Sequence, residues 1–222
     1  MSSDQSATAW SAEEEIVAAS PWRDFVRRFG ANRSAMIGLV IILTLCVVAI
    51  LAPWLAPHPY AQQDLMNSLN PPFTEDNLLG TDMFGRDILS RLIWGARVSL
   101  EVGLASVVFA FVLGVPLGIV AGVSGGRVET VIMRGADMLM AFPTLLLALI
   151  IVTALGGSLA NEILAIGVAL TPNFLRLARS LALTIREQDY ILAARALGSG
   201  QLRVMARHVF PNTVYALVAV AM

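Results

Sequence analysis

Residues 36–55 contain no charged side chain, and nearly all of them are apolar. A helix of that length covers about 30 Å at ~1.5 Å per residue, the thickness of a bilayer's hydrocarbon core. No water reaches that core to satisfy backbone N–H and C=O groups, so such a segment must take helical form. It is too long for the apolar core of a signal peptide and lacks a small-residue cleavage signature. Pro53, Pro57 and Pro59 close it. Residues 36–55 are therefore the first predicted span, and the composition agrees: 57% of the chain is hydrophobic and 14% charged, against about 25% charged in a soluble domain.

The remaining pattern divides the chain. Residues 1–35 are a small, polar, acidic tail followed by an interfacial segment. There Trp22, Phe25, Val26 and Phe29 share one helical face, and Arg23, Arg27 and Arg28 lie largely on the other. A plain juxtamembrane linker is the alternative reading. Residues 56–97 form a polar extracytoplasmic loop. Residues 98–222 form a membrane core with spans expected at 98–123, 128–155 and 159–183. A fifth begins near Val209, and a sixth is expected beyond the chain's last residue. The fold class is all-α, a polytopic transmembrane helical bundle with about five spans begun.

All fifteen basic residues are arginine. Without lysine there is no P-loop, whose lysine contacts the β/γ-phosphates, so any ATP that drives this protein is hydrolysed on another chain. Cys46 has no partner for an internal disulfide. His58 and His208 lack companions at metal-ligand spacing and lie outside the predicted mid-membrane region. No catalytic, cofactor or metal site is expected. With the N-terminus inside, twelve arginines fall on or near the cytoplasmic side and only Arg86, Arg91 and Arg97 outside, as the positive-inside rule requires.

One polar segment interrupts the apolar core. In "DYILAARALGSGQLRVMARHVFPN", residues 189–212, Ile191, Ala194 and Leu197 repeat at near-helical spacing. Gly198 and Gly200 break the helix. Beyond them Leu202, Met205 and Val209 share one face, Arg203 and Arg207 another, and Pro211 marks a turn back towards the membrane. A short helix edged by alanines fits a groove in another protein, with arginines meeting carboxylates there. An ordinary loop folded on its own bundle is the alternative.

Elsewhere, Arg134 and Asp137 are three apart and can pair on one helical face. A structural pair near the cytoplasmic end is preferred to a gating role. Pro116, Pro143 and Pro172 can kink their spans. In the outer loop, Gly80, Asp82, Gly85, Arg86 and Asp87 suit a turn held by local ion pairs. The alternative places this loop against a binding protein or the path entrance.

Two motifs bring in a family. "AARALG", nine residues, then "HVFP" resembles the cytoplasmic signature of membrane subunits of binding-protein-dependent ABC importers, with Leu192 where that family often has glutamate. "NLLGTDMFGRDILSRLIWGARVSL", "RGADMLMAFPTLLLAL" and "RLARSLALTIREQDY" resemble the dipeptide, oligopeptide and nickel permeases. The resemblance covers residues 22–222. It implies a multi-pass inner-membrane permease subunit that carries di- or oligopeptides and has no ATPase site of its own. Nickel or glutathione import within the same family, or ion-coupled secondary transport, are the alternatives. Its implied partners are a homologous second permease, two ATPase subunits holding ATP and Mg, an extracytoplasmic binding protein and the bilayer, with no nucleic acid. It also implies that the coupling loop, residues 186–211, docks on the ATPase through Ala193, Ala194, Leu197, Gly198, Arg203, Arg207, His208 and Pro211.

Overall fold

A computed structural model describes residues 29–74 and 76–221, and the named elements within them are all helical. The tail and most of the interfacial segment expected at the N-terminus lie outside the described residues. The chain divides into two compact units, Met1–Arg97 and Val98–Met222.

In the first unit, helix α1 spans Arg33–Leu55, opening three residues before the predicted span. Asn32 caps it, its side chain accepting from the N–H groups of Ser34 and Ala35 at 3.1 and 3.3 Å. Ala49 and Ala52 are buried, whereas Ile37, Val40, Ile41, Ile42 and Leu43 face outward. Lipid tails are as apolar as leucine, so this exterior suits a bilayer. The loop that follows contains a 3₁₀ turn, Leu65–Asn67. It ends ten residues earlier than expected, because helix α2 starts at Ile88 and continues to Ser124. Asp87 sets that start: its Oδ2 accepts from the N–H of Ser90 at 2.8 Å, the geometry of an N-cap.

In the second unit the expected third span is two helices, α3 (Gly126–Met140) and α4 (Thr144–Leu155), bent by 87°. Pro143 is the cause. It has no N–H to continue the ladder, and its ring drives the preceding residue out of helical geometry. Helix α5, Leu159–Arg186, runs through Pro172 without a break and is capped by Ser158. Three short pieces follow: α6 (Asp189–Ala196), α7 (Gln201–Val204) and a π turn, Met205–Val209. The last described helix is α8 (Phe210–Ala221).

Helix α5 is the hub of this unit; α3, α4 and α8 all pack on it. Its contact with α2 is unusually close. A Cβ on Gly114, Gly118 or Gly122 would lie 2.7 Å from Thr171 O, 2.3 Å from Leu175 O and 2.8 Å from Ala182 Cβ. Glycine every fourth residue lets two backbones meet in this way, as in tightly crossed membrane helices. Further up, Ser106 Oγ donates to Ile163 O at 3.2 Å. Residue numbers rise together along both helices, so α2 and α5 run parallel.

That register decides the topology. Among the described residues only α1 and α2 are single helices long and apolar enough to cross a membrane, and α3 with α4 make a third if counted as one broken span. Helix α5 carries Glu162, Arg176, Arg179 and Arg186 and does not qualify by composition. It nevertheless shares α2's layer through their contact, and two parallel helices in one layer need a return between them. The bent pair α3–α4 supplies it.

Candidate functional site

The arginines of α5 gather the ends of three helices. Arg179 Nε donates to Glu129 Oε1 of α3 at 2.7 Å, and its Nη2 reaches the same oxygen. Arg176 Nη2 donates to Asp137 Oδ1, also on α3, at 2.6 Å. The expected Arg134–Asp137 pair is therefore corrected: Arg134 is exposed, and the carboxylate of Asp137 turns to α5 instead. Arg176 and Asp137 are themselves exposed, so the pairing follows from which guanidinium the packing of α5 on α3 brings within reach, not from burial.

The last carbonyls of α2 need outside donors, as at any helix C-terminus. Arg186 Nη1 reaches Gly122 O at 2.7 Å. Gln201 Nε2 reaches Val123 O and Ser124 Oγ at 3.3 and 3.4 Å. One donor precedes the helix–break–helix and the other lies within it, so the segment is fastened to the end of α2 at both places.

Its apolar side chains complete the fastening. Ile191, Val204 and Val209 are fully buried with Val115, Ile119 and Val123 of α2, Ala178 and Ala182 of α5, and Leu217 of α8. Ile191 therefore does not share a docking edge with Leu197, which is 88% exposed. The second expected face splits likewise, with Val209 inside and Leu202 78% exposed. The outer surface presents Ala193, Leu197, Gly198, Leu202, Arg203 and Arg207, while Ala194, His208 and Pro211 are half-buried.

The break between α6 and α7 is a glycine C-cap. Gly198 has φ +84°, and the N–H of Ser199 reaches back to Ala194 O at 3.0 Å, the long bond of a Schellman ending. Gly200 then precedes α7 in extended geometry. Pro211 does not end a helix. It lies inside one continuous helical run, Gln201–Ala221, just after the π turn Met205–Val209, whose wider bonding shifts the ladder just ahead of the missing N–H. His208 lies 6.2 Å from the ring of Tyr190, and Asn212 Nδ2 donates to His208 O at 2.7 Å and Tyr190 Oη at 3.4 Å. Tyr190 and Asn212 thus hold the two arms together.

Sequence reasoning missed Glu129, Tyr190, Gln201 and Asn212, and gave Arg176, Arg179 and Arg186 only a share in the charge bias. Their partners lie as far as 78 residues away. The glycine spacing at 114, 118 and 122 was the one readable signal of the α2–α5 contact.

The outer-loop residues form a second, separate arrangement. Asp82 Oδ1 accepts from the N–H groups of Phe84 and Arg86 at 2.8 and 3.0 Å; its Oδ2 meets Arg86 Nε at 2.8 Å and also Arg91 Nη1. Desolvation pushes the carboxyl's pKa up, but the hydrogen bonds from Arg86, Phe84 and Arg91 outweigh it and lower the pKa to about 2. Gly85 has φ +69°, and a Cβ there would fall 1.7 Å from Asp64 O, so no other residue fits. Gly80 meets Asn70 O in the same way, at 2.4 Å. Asp87 belongs to the start of α2.

Comparison with known proteins places this architecture. Residues 20–72 match the N-terminal transmembrane domain of oligopeptide transport permease C, and residues 114–222 match the inner membrane component of binding-protein-dependent transport systems. The chain is 40% identical over 209 residues to a dipeptide transport system permease protein of Alkalihalophilus pseudofirmus, covering 94% of this chain and 68% of that protein. It is 40% identical over 215 residues to a di/tripeptide transport system permease protein of Pseudomonas aeruginosa, covering 95% and 71%. A glutathione transport system permease protein of Pectobacterium atrosepticum is 35% identical over 199 residues, covering 90% and 66%. The chain belongs to the inner-membrane permease family of binding-protein-dependent ABC importers.

Proposed function

We propose that this subunit carries di- or oligopeptides across the inner membrane, with its N-terminus inside, and that the segment 189–211 couples it to separate ATPase subunits. ATP and Mg are held by those subunits and not by this chain. A homologous second permease completes the path, two ATPase subunits dock beneath, and an extracytoplasmic binding protein delivers the substrate. The peptide assignment rests on the dipeptide and di/tripeptide relatives. Glutathione, itself a tripeptide, is the second reading, favoured by the 35% identical relative.

The observation that carries the coupling role is the division of the segment into two surfaces. Ile191, Val204 and Val209 lock one side into the ends of α2 and α5, and Leu197, Leu202, Arg203 and Arg207 leave the other open. A push on the open side moves the fastened side, and with it Gly122 and Val123 at the end of α2 and Arg186 at the end of α5. Coupling of this kind biases an equilibrium between inward- and outward-open states; it performs no covalent chemistry.

The test is uptake by proteoliposomes that hold the whole transporter, supplied with the binding protein and a labelled dipeptide. Uptake should require ATP inside and should be displaced by unlabelled dipeptides more effectively than by glutathione. Uptake that continues without ATP and collapses with an ion gradient would overturn the coupling reading. Preference for glutathione would move the substrate to the second reading.

A further inference from the structure

Helix α7, the π turn and α8 form one run, Gln201–Ala221, in which the N–H of Phe210 bonds back five residues to Met205 O. Val204, Val209, Thr213 and Leu217 are buried along it, at steps of five, four and four. In an α-helix, turning about 100° per residue, a step of five would part Val204 from Val209 by about 140°. The π turn takes up that extra residue, and both valines reach the core of Val115, Ile119 and Val123. The same register sets Gln201 against the end of α2, where its Nε2 meets Val123 O and Ser124 Oγ.

Three observations mark this register as one of two. Met205, the neighbour of Val204, already packs against the same core from a half-buried position. Bonded as α throughout, the run would place Met205 four residues before Val209, in the slot of Val204, and an unbranched thioether adapts well to such a slot. The break just ahead can take up the residue released, since a Cβ at Gly198 or Gly200 would have nothing within 4 Å. Thr213 Oγ1 is buried with no hydrogen-bond partner, so the π register leaves a polar group unsatisfied. Pro211 holds the π form. In a continuous α-helix its ring meets the carbonyl four residues back, that of Arg207, which here lies inside the π turn.

We propose that the run Gln201–Ala221 switches between this π register and an all-α register. The switch turns α7 by about 100° against α8, exchanges Met205 for Val204 in the core and puts Leu202 where Gln201 was, which releases the end of α2. Its use in transport, with the docked ATPase driving the exchange, rests on the coupling reading; the two registers themselves do not.

The test is the reaction rate of single thiols with a water-soluble maleimide in the assembled transporter in nanodiscs, with Cys46→Ala throughout. Without nucleotide, Val204→Cys should react at least tenfold more slowly than Met205→Cys. Pro211→Ala removes what holds the π form and should reverse that order. ATP with vanadate, which holds the ATPase subunits closed, should reverse it with Pro211 in place. Deleting Ala206 in the Pro211→Ala background leaves one α register with Val204 four residues before Val209, so the thiol at 204 should be protected again. An order unchanged by both Pro211→Ala and trapped nucleotide would show a single register and overturn the proposal; ATP-driven uptake by the same preparation would leave the coupling reading standing. A thiol at 204 that stays reactive after the deletion would show loosening, not exchange, and would also overturn it. Reversal by Pro211→Ala alone would establish the two registers and remove the ATPase as their driver.

Discussion

Arginine–carboxylate pairs occur in both units, but they do different work. Around Asp82 every partner is local: Arg86 is four residues away and Arg91 nine. The pairs close a turn and tie it to the first turn of α2, where Arg91 sits. At the arginine-rich end of the second unit the separations are 39 residues for Arg176–Asp137, 50 for Arg179–Glu129 and 64 for Arg186 to the Gly122 carbonyl. These contacts tie together the ends of α2, α3 and α5. A local pair shapes a loop, whereas a long-range pair in or near a membrane joins helices that would otherwise slide.

The comparison can be broken most severely at the α2–α5 seam, which the long-range pairs depend on. Gly118→Val places side-chain carbons against the backbone of Leu175. Overpacking of this kind costs about 3 kcal/mol. The purified transporter should lose thermal stability and ATP-driven uptake together. A variant with full uptake would show that the two backbones are not in contact.

Next in size is Arg179→Ala, which leaves Glu129 half-buried and unpaired. Losing one partner of such a pair costs about 2 kcal/mol at this partial exposure. The double variant Arg179→Ala/Glu129→Ala should recover much of that stability in a denaturation series, since no uncompensated charge remains. If the single and double variants are equally weak, the arginine acts through packing alone and the ion pair is incidental.

The smallest effect is expected in the outer loop. The pKa of Asp82 in the folded loop is about 2, below its ordinary value of 3.8. Its contribution is therefore fully present above pH 3.8 and is lost as the pH falls through about 2. Amide exchange at Phe84 and Arg86 should be protected at pH 4 and released at the acid end of that window, with the second unit unaffected by this group. Release at neutral pH would place the loop's stability elsewhere.

The same contrast explains what could be read from the chain. The loop turn, the Gly198 break and the first span were legible because each rests on neighbours within a few residues: Asp82 with Arg86, Gly198 with Ala194, an apolar run with its own length. The early start of α2 was not, since Arg91, Arg97 and Glu101 dilute the hydropathy and only the Asp87 cap fixes Ile88. A kink at Pro143 was legible from the proline itself, but not its 87° size, in a run that composition makes continuous. The exposed face of the segment was half legible. Helical spacing put Ile191 and Leu197 on one edge, but the bend at Gly198 and the core beneath put Ile191 inside. Asp137 was given the arginine nearest in sequence, because no periodicity reveals a partner on a helix packed beside it.

The most direct test of the coupling proposal uses single cysteines in the assembled transporter, with Cys46 first replaced by alanine. Cysteine is placed at Leu197, Leu202 or Ile191, and a short thiol reagent bridges to cysteines introduced on the ATPase surface. Leu197→Cys and Leu202→Cys should give adducts and Ile191→Cys none, because Ile191 lies sealed against α2 and α5. Adducts from Ile191→Cys alone, or none from either exposed position, would contradict it.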